Sequence, residues 1–462
     1  TDPTLTINTT GTTIFGGVIG GTKALGALTT NAGGTTTLAG DVTTTGAQTY
    51  NDAVRISADL TLNSTDATLG GIVFGGNVDA SGAGFDLIAQ VAAGRTVAFS
   101  AGATSGGGGQ DLNSITTSGG NTSLSGTIST VGLQSYSGAT TLTGLTNAIS
   151  TGNAAISFLG TVDSSPADSF SLSVSTSGLT TFGGNVGGIG RLDALTVDSG
   201  GNTEFAGDVT VLNTLDLSDI ITFNGAGIKT LTAGEFSFGG AVNGVAGQSL
   251  VLRGSGAGAN TFRISAAGGT ADIDILTSSL AAIDGFDLLT LGAAGDTINL
   301  DDAAISASDD LLFAGAVVLL QNAAITSANN DDVTFATTVD GTFDLIVNTT
   351  GATVFTGIVG GNAALNSLQT NIGGTTSIGG DITTVNAITF GDDVVLTGSA
   401  ILASTGNQNI VFNGLLNGTT ANTESLTINT GGQTQFNGVV GGGVTLASIT
   451  TDAAGSTRIG AN

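Results

Sequence analysis

The chain has no cysteine, methionine, histidine or tryptophan, and only two prolines, Pro3 and Pro166, in 462 residues. Without cysteine there is no disulfide framework and no thiolate chemistry, so the redox compartment leaves no mark. Absence of oxidisable side chains suits a setting outside the cell. Basic residues are scarce too: eight Lys and Arg face 35 Asp and Glu, a net charge of −27. Binding to phosphate needs clusters of Lys and Arg, so nucleic acid and anionic membrane surfaces are poor partners. The most apolar segment, Leu311 to Ile325, contains Gln321 and Asn322 and follows Asp309-Asp310. It is too short and too interrupted to span a bilayer, which argues against membrane insertion. No signal peptide precedes Thr1-Asp2-Pro3, and the expectation is a processed product or an excerpt of a longer chain.

What is present is equally one-sided. Glycine supplies 77 residues, apolar residues 40% and charged residues 9%. That is too apolar for a disordered chain. Glycine without a three-residue period, and with so little proline, excludes collagen. A β-rich repetitive fold with many tight corners remains.

One phrase recurs. Thr13-Ile14-Phe15-Gly16-Gly17-Val18-Ile19 returns as Thr180-Thr181-Phe182-Gly183-Gly184-Asn185-Val186, as Thr353-Val354-Phe355-Thr356-Gly357-Ile358-Val359 and as Thr434-Gln435-Phe436-Asn437-Gly438-Val439-Val440. Looser copies centre on residues such as Leu38, Tyr50, Phe74, Phe99 and Phe412. Around each lie short period-2 alternations bounded by Gly and Asn, the pattern of half-buried strands. Longer units restart near Phe85, Leu172, Leu250, Leu345 and Leu426, a super-repeat of roughly 82 residues. Within a unit the large apolar residues keep unequal but reproducible gaps, as in 15, 38, 50, 74, 99 and in 355, 378, 390, 412, 436.

A turn of about 20 to 24 residues that pairs with the turn above it is a β-solenoid coil. About twenty such coils would form a rod on the order of 100 Å long. Phe, Leu, Ile and Val would line a narrow core, with Asn-Gly and Asp-Gly pairs supplying corners of positive φ. The short gap from 38 to 50 leaves two-sided and three-sided coils both open. The expected organisation is one continuous solenoid over 1–462: regular repeats in 1–254 and 331–462, and degenerate coils or a small insertion in 255–330.

Stretches such as Leu426-Thr427-Ile428-Asn429-Thr430-Gly431, Gly34-Thr35-Thr36-Thr37-Leu38-Ala39-Gly40-Asp41-Val42 and Gln48-Thr49-Tyr50-Asn51-Asp52-Ala53-Val54 resemble the repeats of filamentous-haemagglutinin-like bacterial exoproteins. The resemblance implies an all-β, right-handed parallel β-helix, export from the cell, and a role in adhesion, biofilm matrix or surface fibres.

Four kinds of chemistry are weighed against blander readings. Parallel β-helices host carbohydrate-active enzymes that cluster Asp with Arg or Lys. Here Lys23, Arg55, Arg95, Arg191, Lys229, Arg253, Arg263 and Arg458 stand singly, so no enzyme is expected. Asp41, Asp208 and Asp381 share one repeat position, and Asp52, Asp219 and Asp392 another. They are candidate calcium ligands, against the preferred reading of turn-capping aspartates; no other cofactor is expected. Thr-rich runs such as Thr35-Thr36-Thr37 suggest an ice-binding face, but threonine also simply suits an exposed strand. Gly106-Gly107-Gly108-Gly109 and Gly16-Gly17 lack the Lys-Ser/Thr of a phosphate loop.

The leading expectation is a secreted, extracellular or cell-surface structural protein that stacks head-to-tail with itself into a filament. Solenoids normally cap their end coils, and neither end of this sequence carries a polar amphipathic cap. The alternative is a stalk segment of a large adhesin, with surface glycans as a further partner class.

Overall fold

The computed structural model describes residues 2–82, 84–102, 110–256, 258–266, 273–327 and 329–460. It is almost entirely parallel β: about twenty stacked coils form a β-solenoid. The one helix among the described residues is a single turn, Thr277–Leu280. Two compact units divide the chain, 1–225 with 238–241, and 226–237 with 242–462.

In the first unit the strands stack along three sides. The first side stacks Thr4–Ile7, Ala27–Thr30, Gln48–Tyr50, Ile72–Phe74 and Thr96–Phe99 in parallel register. The second side begins with Thr12–Phe15, Thr35–Leu38, Ala53–Ile56 and Val78–Ala80. The third runs from Val42–Thr44 through Leu60–Ser64, Asp86–Val91, Ser114–Ser118, Gln134–Tyr136, Ile156–Phe158, Leu179–Phe182 and Asn202–Phe205 to Ile220–Phe223. The coil is therefore three-sided. Its length is uneven: a short turn sets Thr36 opposite Val54, and a long one sets Leu87 opposite Ile115. The spread is broader than the repeat spacing predicts, because corner loops absorb the difference.

Three sides also explain the short gap from 38 to 50. Phe15 and Leu38 face each other on the second side, whereas Tyr50 and Phe74 belong to the first. The step from 38 to 50 is a move around the coil, not a coil. The long repeat has the same origin. Phe15, Phe99 and Phe182 follow one another at nearly equal intervals, yet they sit on the second, first and third sides in turn. Each super-repeat thus stops one side short of four coils, and each copy lands on a new face.

In the second unit one side stacks Leu288–Leu291, Leu311–Phe313, Val333–Phe335, Ala352–Phe355, Thr375–Ile378 and Asp393–Leu396. Another stacks Ala323–Ser327, Asp344–Asn348, Ser367–Thr370, Ile388–Phe390, Ile410–Phe412, Gln433–Phe436 and Ser456–Ile459. Phe355 lies on the first of these and Phe436 on the second, so successive copies of the phrase again fall on different sides. The stretch 255–330 departs from this rhythm. Leu250 lies opposite Leu289, far beyond the reach of an ordinary coil, and Phe262 lies opposite both Ile273 and Ile298. One oversized coil thus places two strands in a single stack, the later one inserted before the earlier.

The cores are built from ladders of rings. Tyr136, Phe158, Phe182, Phe205 and Phe223 stack with centroids 4.9 to 5.9 Å apart. Tyr50, Phe74 and Phe99 form a second ladder, Phe313, Phe335 and Phe355 a third, and Phe390, Phe412 and Phe436 a fourth. Strand spacing of about 4.8 Å sets these distances. Stacked pairs of this kind contribute about 0.5–1.5 kcal/mol each beyond area burial. Phe182, Phe355 and Phe436 are buried, and Phe15, in the first coil, is half-buried.

Glycine serves this stacking more than it serves positive φ. Of the seven Asn-Gly and Asp-Gly corners only Gly225, Gly285 and Gly341 adopt positive φ. At Gly414 and Gly438 the reason is contact. A Cβ there would lie 2.5 Å from Asp392 O and 2.0 Å from Gly414 O, so only glycine lets adjacent coils close.

Candidate functional site

The six repeat-position aspartates are all at corners, and the structure shows what five of them hold. Asp52 is buried and reaches back one short coil: Gly34 N–H donates to Oδ1 at 2.8 Å and Thr36 Oγ1 to Oδ2 at 3.1 Å. Asp219 repeats the latch, accepting from Gly201 N–H at 2.7 Å and Thr203 Oγ1 at 2.9 Å. Asp392 accepts from Thr376 Oγ1 at 3.1 Å, while its Oδ1 is buried without a partner. In all three the glycine before the latch point, Gly33, Gly200 or Gly373, has positive φ. Asp41 and Asp381 form the other matched pair, each accepting a backbone N–H, of Thr61 and Ile401, at 2.8 Å. Asp208 instead donates its own N–H to Asn185 Oδ1.

Capping therefore engages the carboxylates of Asp41, Asp52, Asp219, Asp381 and Asp392. Among the described residues no group of three or more Asp or Glu comes close enough to hold a metal ion together. Asp52, Asp219 and Asp392 are spread across different coils, as are Asp41, Asp208 and Asp381. The threonines were not matched to these aspartates in the sequence, although the signal was there. Thr36, Thr203 and Thr376 each precede their aspartate by the same interval, 16 residues.

A second acidic corner lies in the second unit. Asp309 Oδ1 accepts from Gly285 N–H at 2.9 Å and Phe286 N–H at 3.1 Å, leaving Oδ2 buried and unpartnered. Asp331, in the next coil, also has a buried, unpartnered Oδ2. Burial pushes the Asp309 carboxyl up to about 6, reinforced by the neighbouring charges of Asp284 and Asp331. Burial likewise raises Asp392 to about 6 and raises Asp219 and Asp331. Beside them Asp310 and Asp332 act as plain caps, accepting the N–H groups of Asp332 and Ala352 at 2.7 and 2.6 Å.

The basic residues stay dispersed. Arg55 pairs with Asp79 at 3.0 Å, Arg191 with Asp168 and Arg263 with Asp301 at 2.5 Å, and Lys23 with Asp2 at 3.5 Å. Arg95 donates to Thr68 O and Arg458 to Asn437 Oδ1, both at 2.9 Å. Each of these cations answers a different partner.

Two surface features complete the survey. A shallow groove of about 510 Å³ follows one corner, lined by Ser177, Leu179, Asn202, Ser218, Asp219 and Ile220. Asp219 at its floor is already held by Gly201 and Thr203. On the first side, Thr6, Thr29 and Thr49 stand in register on three successive coils. The row then continues as Val73, Ala98, Ser123 and Thr141. Threonine thus recurs coil by coil locally, where the sequence shows only a once-per-unit recurrence, and Val73 and Ala98 interrupt it. Gly106-Gly107-Gly108-Gly109 lies outside the described residues.

Compared with known protein families, curated proteins and solved structures, the chain gives no match.

Proposed function

We propose that this chain is a structural component of an extracellular fibre or matrix, its subunits joined head-to-tail into a filament. The observation that carries this reading is the use made of the polar residues. The matched aspartates whose contacts are described secure one coil to the next, and most of the aromatic residues are spent on internal ladders. Chemistry that an enzyme would direct at a substrate is directed here at the neighbouring coil. The charge of −27 keeps such a β surface soluble while it assembles.

The test is an image. Purified chain at rising concentration should give end-to-end filaments by negative-stain electron microscopy. Isolated short particles at every concentration would sink the reading. Binding of the isolated chain to glycan arrays or cells, without filaments, would favour the adhesin stalk instead.

A further inference from the structure

The aspartate latches share one design. In register, Asp52 lies over Gly34, Asp219 over Gly201 and Asp392 over Gly374. Two residues beyond that glycine stands a buried threonine, Thr36, Thr203 or Thr376, whose hydroxyl donates to Oδ2 of the aspartate. The carboxylate thus receives a side-chain donor from the coil it rests on.

Asp309 and Asp331 hold the same place in two successive coils of the second unit, each two residues before an inward Leu311 or Val333. The register sets Asp309 over Asp287 and Asp331 over Asp309. Where the latches have threonine, these two coils have Leu289 and Leu311, both buried. Neither leucine can donate. Asp309 Oδ1 is held by the N–H groups of Gly285 and Phe286, but Asp309 Oδ2 and Asp331 Oδ2 are buried without a hydrogen-bond partner. Asp309 as a whole is 6% exposed. A buried acceptor left unpaired carries its full desolvation cost. The two carboxyls that lack the hydroxyl are therefore neighbours, one strand spacing of about 4.8 Å apart.

The charged groups acting on the pair are acidic. Asp284 and Asp331 act on Asp309, and Asp284, Asp310 and Asp332 act on Asp331. Asp287, beneath Asp309, is exposed and accepts the Gly247 N–H. Calcium takes six to eight oxygens, whereas this corner offers two unclaimed carboxylate oxygens. A proton needs only those two.

We propose that Asp309 and Asp331 share one proton, which joins their Oδ2 atoms in a carboxyl–carboxylate hydrogen bond and replaces the missing threonine hydroxyl as the tie between two coils. The corner is then a clasp that tightens in acid. With the proton bound, both Oδ2 atoms are satisfied; with it lost, two stacked carboxylates and their acidic neighbours repel one another. Burial raises both groups and works in the same direction. The tie is complete below the ordinary aspartate range and is lost as pH rises through the folded value, about 6 for Asp309.

The experiment follows urea unfolding of the full chain between about pH 5 and 8 for the parent, Asp309→Asn, Asp331→Asn and the double variant. An asparagine amide is a permanent donor in place of the proton. Each single variant should therefore remove about one proton from the linkage, a tenfold change in the unfolding constant per pH unit, and the double variant should remove no more. Losses that add in the double variant would overturn the shared proton in favour of two independent carboxyls. Equal slopes in all four chains would overturn it outright. Should a variant fail to fold, NMR of the parent labelled with 13C at the aspartate carboxyls decides. Two aspartate signals should move together in one step above the ordinary range near 3.9, and the absence of such a step would overturn the pair. Millimolar calcium chloride at neutral pH should leave the parent's midpoint unchanged; a rise abolished by either single variant would put a metal ion in the proton's place.

Discussion

Tyr136 Oη donates a hydrogen bond of 2.9 Å to Gln134 Oε1, on the same face of the same strand, with both side chains fully buried. Gln134 Nε2 in turn donates to Ile128 O at 3.0 Å and Ile149 O at 2.8 Å. Tyr50 and Gln48 repeat the arrangement, with Gln48 donating to Val42 O and Asn63 O. These are the only two tyrosines, and each begins a ring ladder that continues in phenylalanine. Below them in register stand Thr117 and Thr30, so the ladder starts where the core is still polar.

Removing that hydroxyl should be felt. Tyr136→Phe leaves Gln134 Oε1 buried without a donor and should cost about 1–3 kcal/mol in denaturant unfolding. Gln134→Leu/Tyr136→Phe together should recover part of the loss, since both polar groups are then gone. A double variant less stable than Tyr136→Phe would show that the pair is not coupled in this way.

Ring deletion should depend on position in the ladder. Phe182→Ala removes a ring stacked on both faces, by Phe158 and Phe205, and should cost about 3–5 kcal/mol. Phe436 has a ring on one face only, Phe412, and exposed Ile459 on the other, so Phe436→Ala should cost less. Equal losses in thermal unfolding would contradict the ladder as a source of stability.

Acidification from neutral pH to about 4 should stabilise this protein. Asp309 and Asp392 are raised to about 6 in the folded state by burial, above the ordinary aspartate value near 3.9. The folded chain therefore binds more protons than the unfolded one between about pH 4 and 6. The contribution of these two groups is fully present near pH 4 and falls as pH rises through the window, while Asp66, Asp168 and Glu424, held low by hydrogen bonds, lose theirs at more acid pH. Relief of self-repulsion acts in the same direction, so the discriminating measurement is Asp309→Asn/Asp392→Asn. That variant should flatten the midpoint-against-pH curve between about 4 and 7; an unchanged slope would assign the effect to net charge alone.

Proteolysis should be sparing. Trypsin needs Lys or Arg in a yielding backbone, and Arg55, Arg191 and Arg263 are ion-paired. Lys23 is also ion-paired, to Asp2, but its side chain is 71% exposed in a loop of the first coil, and it should be the earliest site. Mass spectrometry should find cleavage after Lys23 ahead of any cut after Arg55, Arg191 or Arg263.

The residues alone were enough to establish a repeat built from short strands, with Phe15, Phe182, Phe355 and Phe436 as copies of one inward position. Period-2 alternation and recurring glycine carry that information locally. The chain's own order could not say how many sides a coil has, because its unequal gaps mix steps between coils with steps around one. Only stacking separates Phe15 over Leu38 from Tyr50 over Phe74. The pairing of Asp52 with Thr36 was likewise written as a recurring spacing, but its meaning depends on a short coil that brings the two to one corner. Glycine was legible as a maker of bends; that it is needed chiefly where two backbones meet, as at Gly438 over Gly414, was decided by the distance between coils, which no single strand contains.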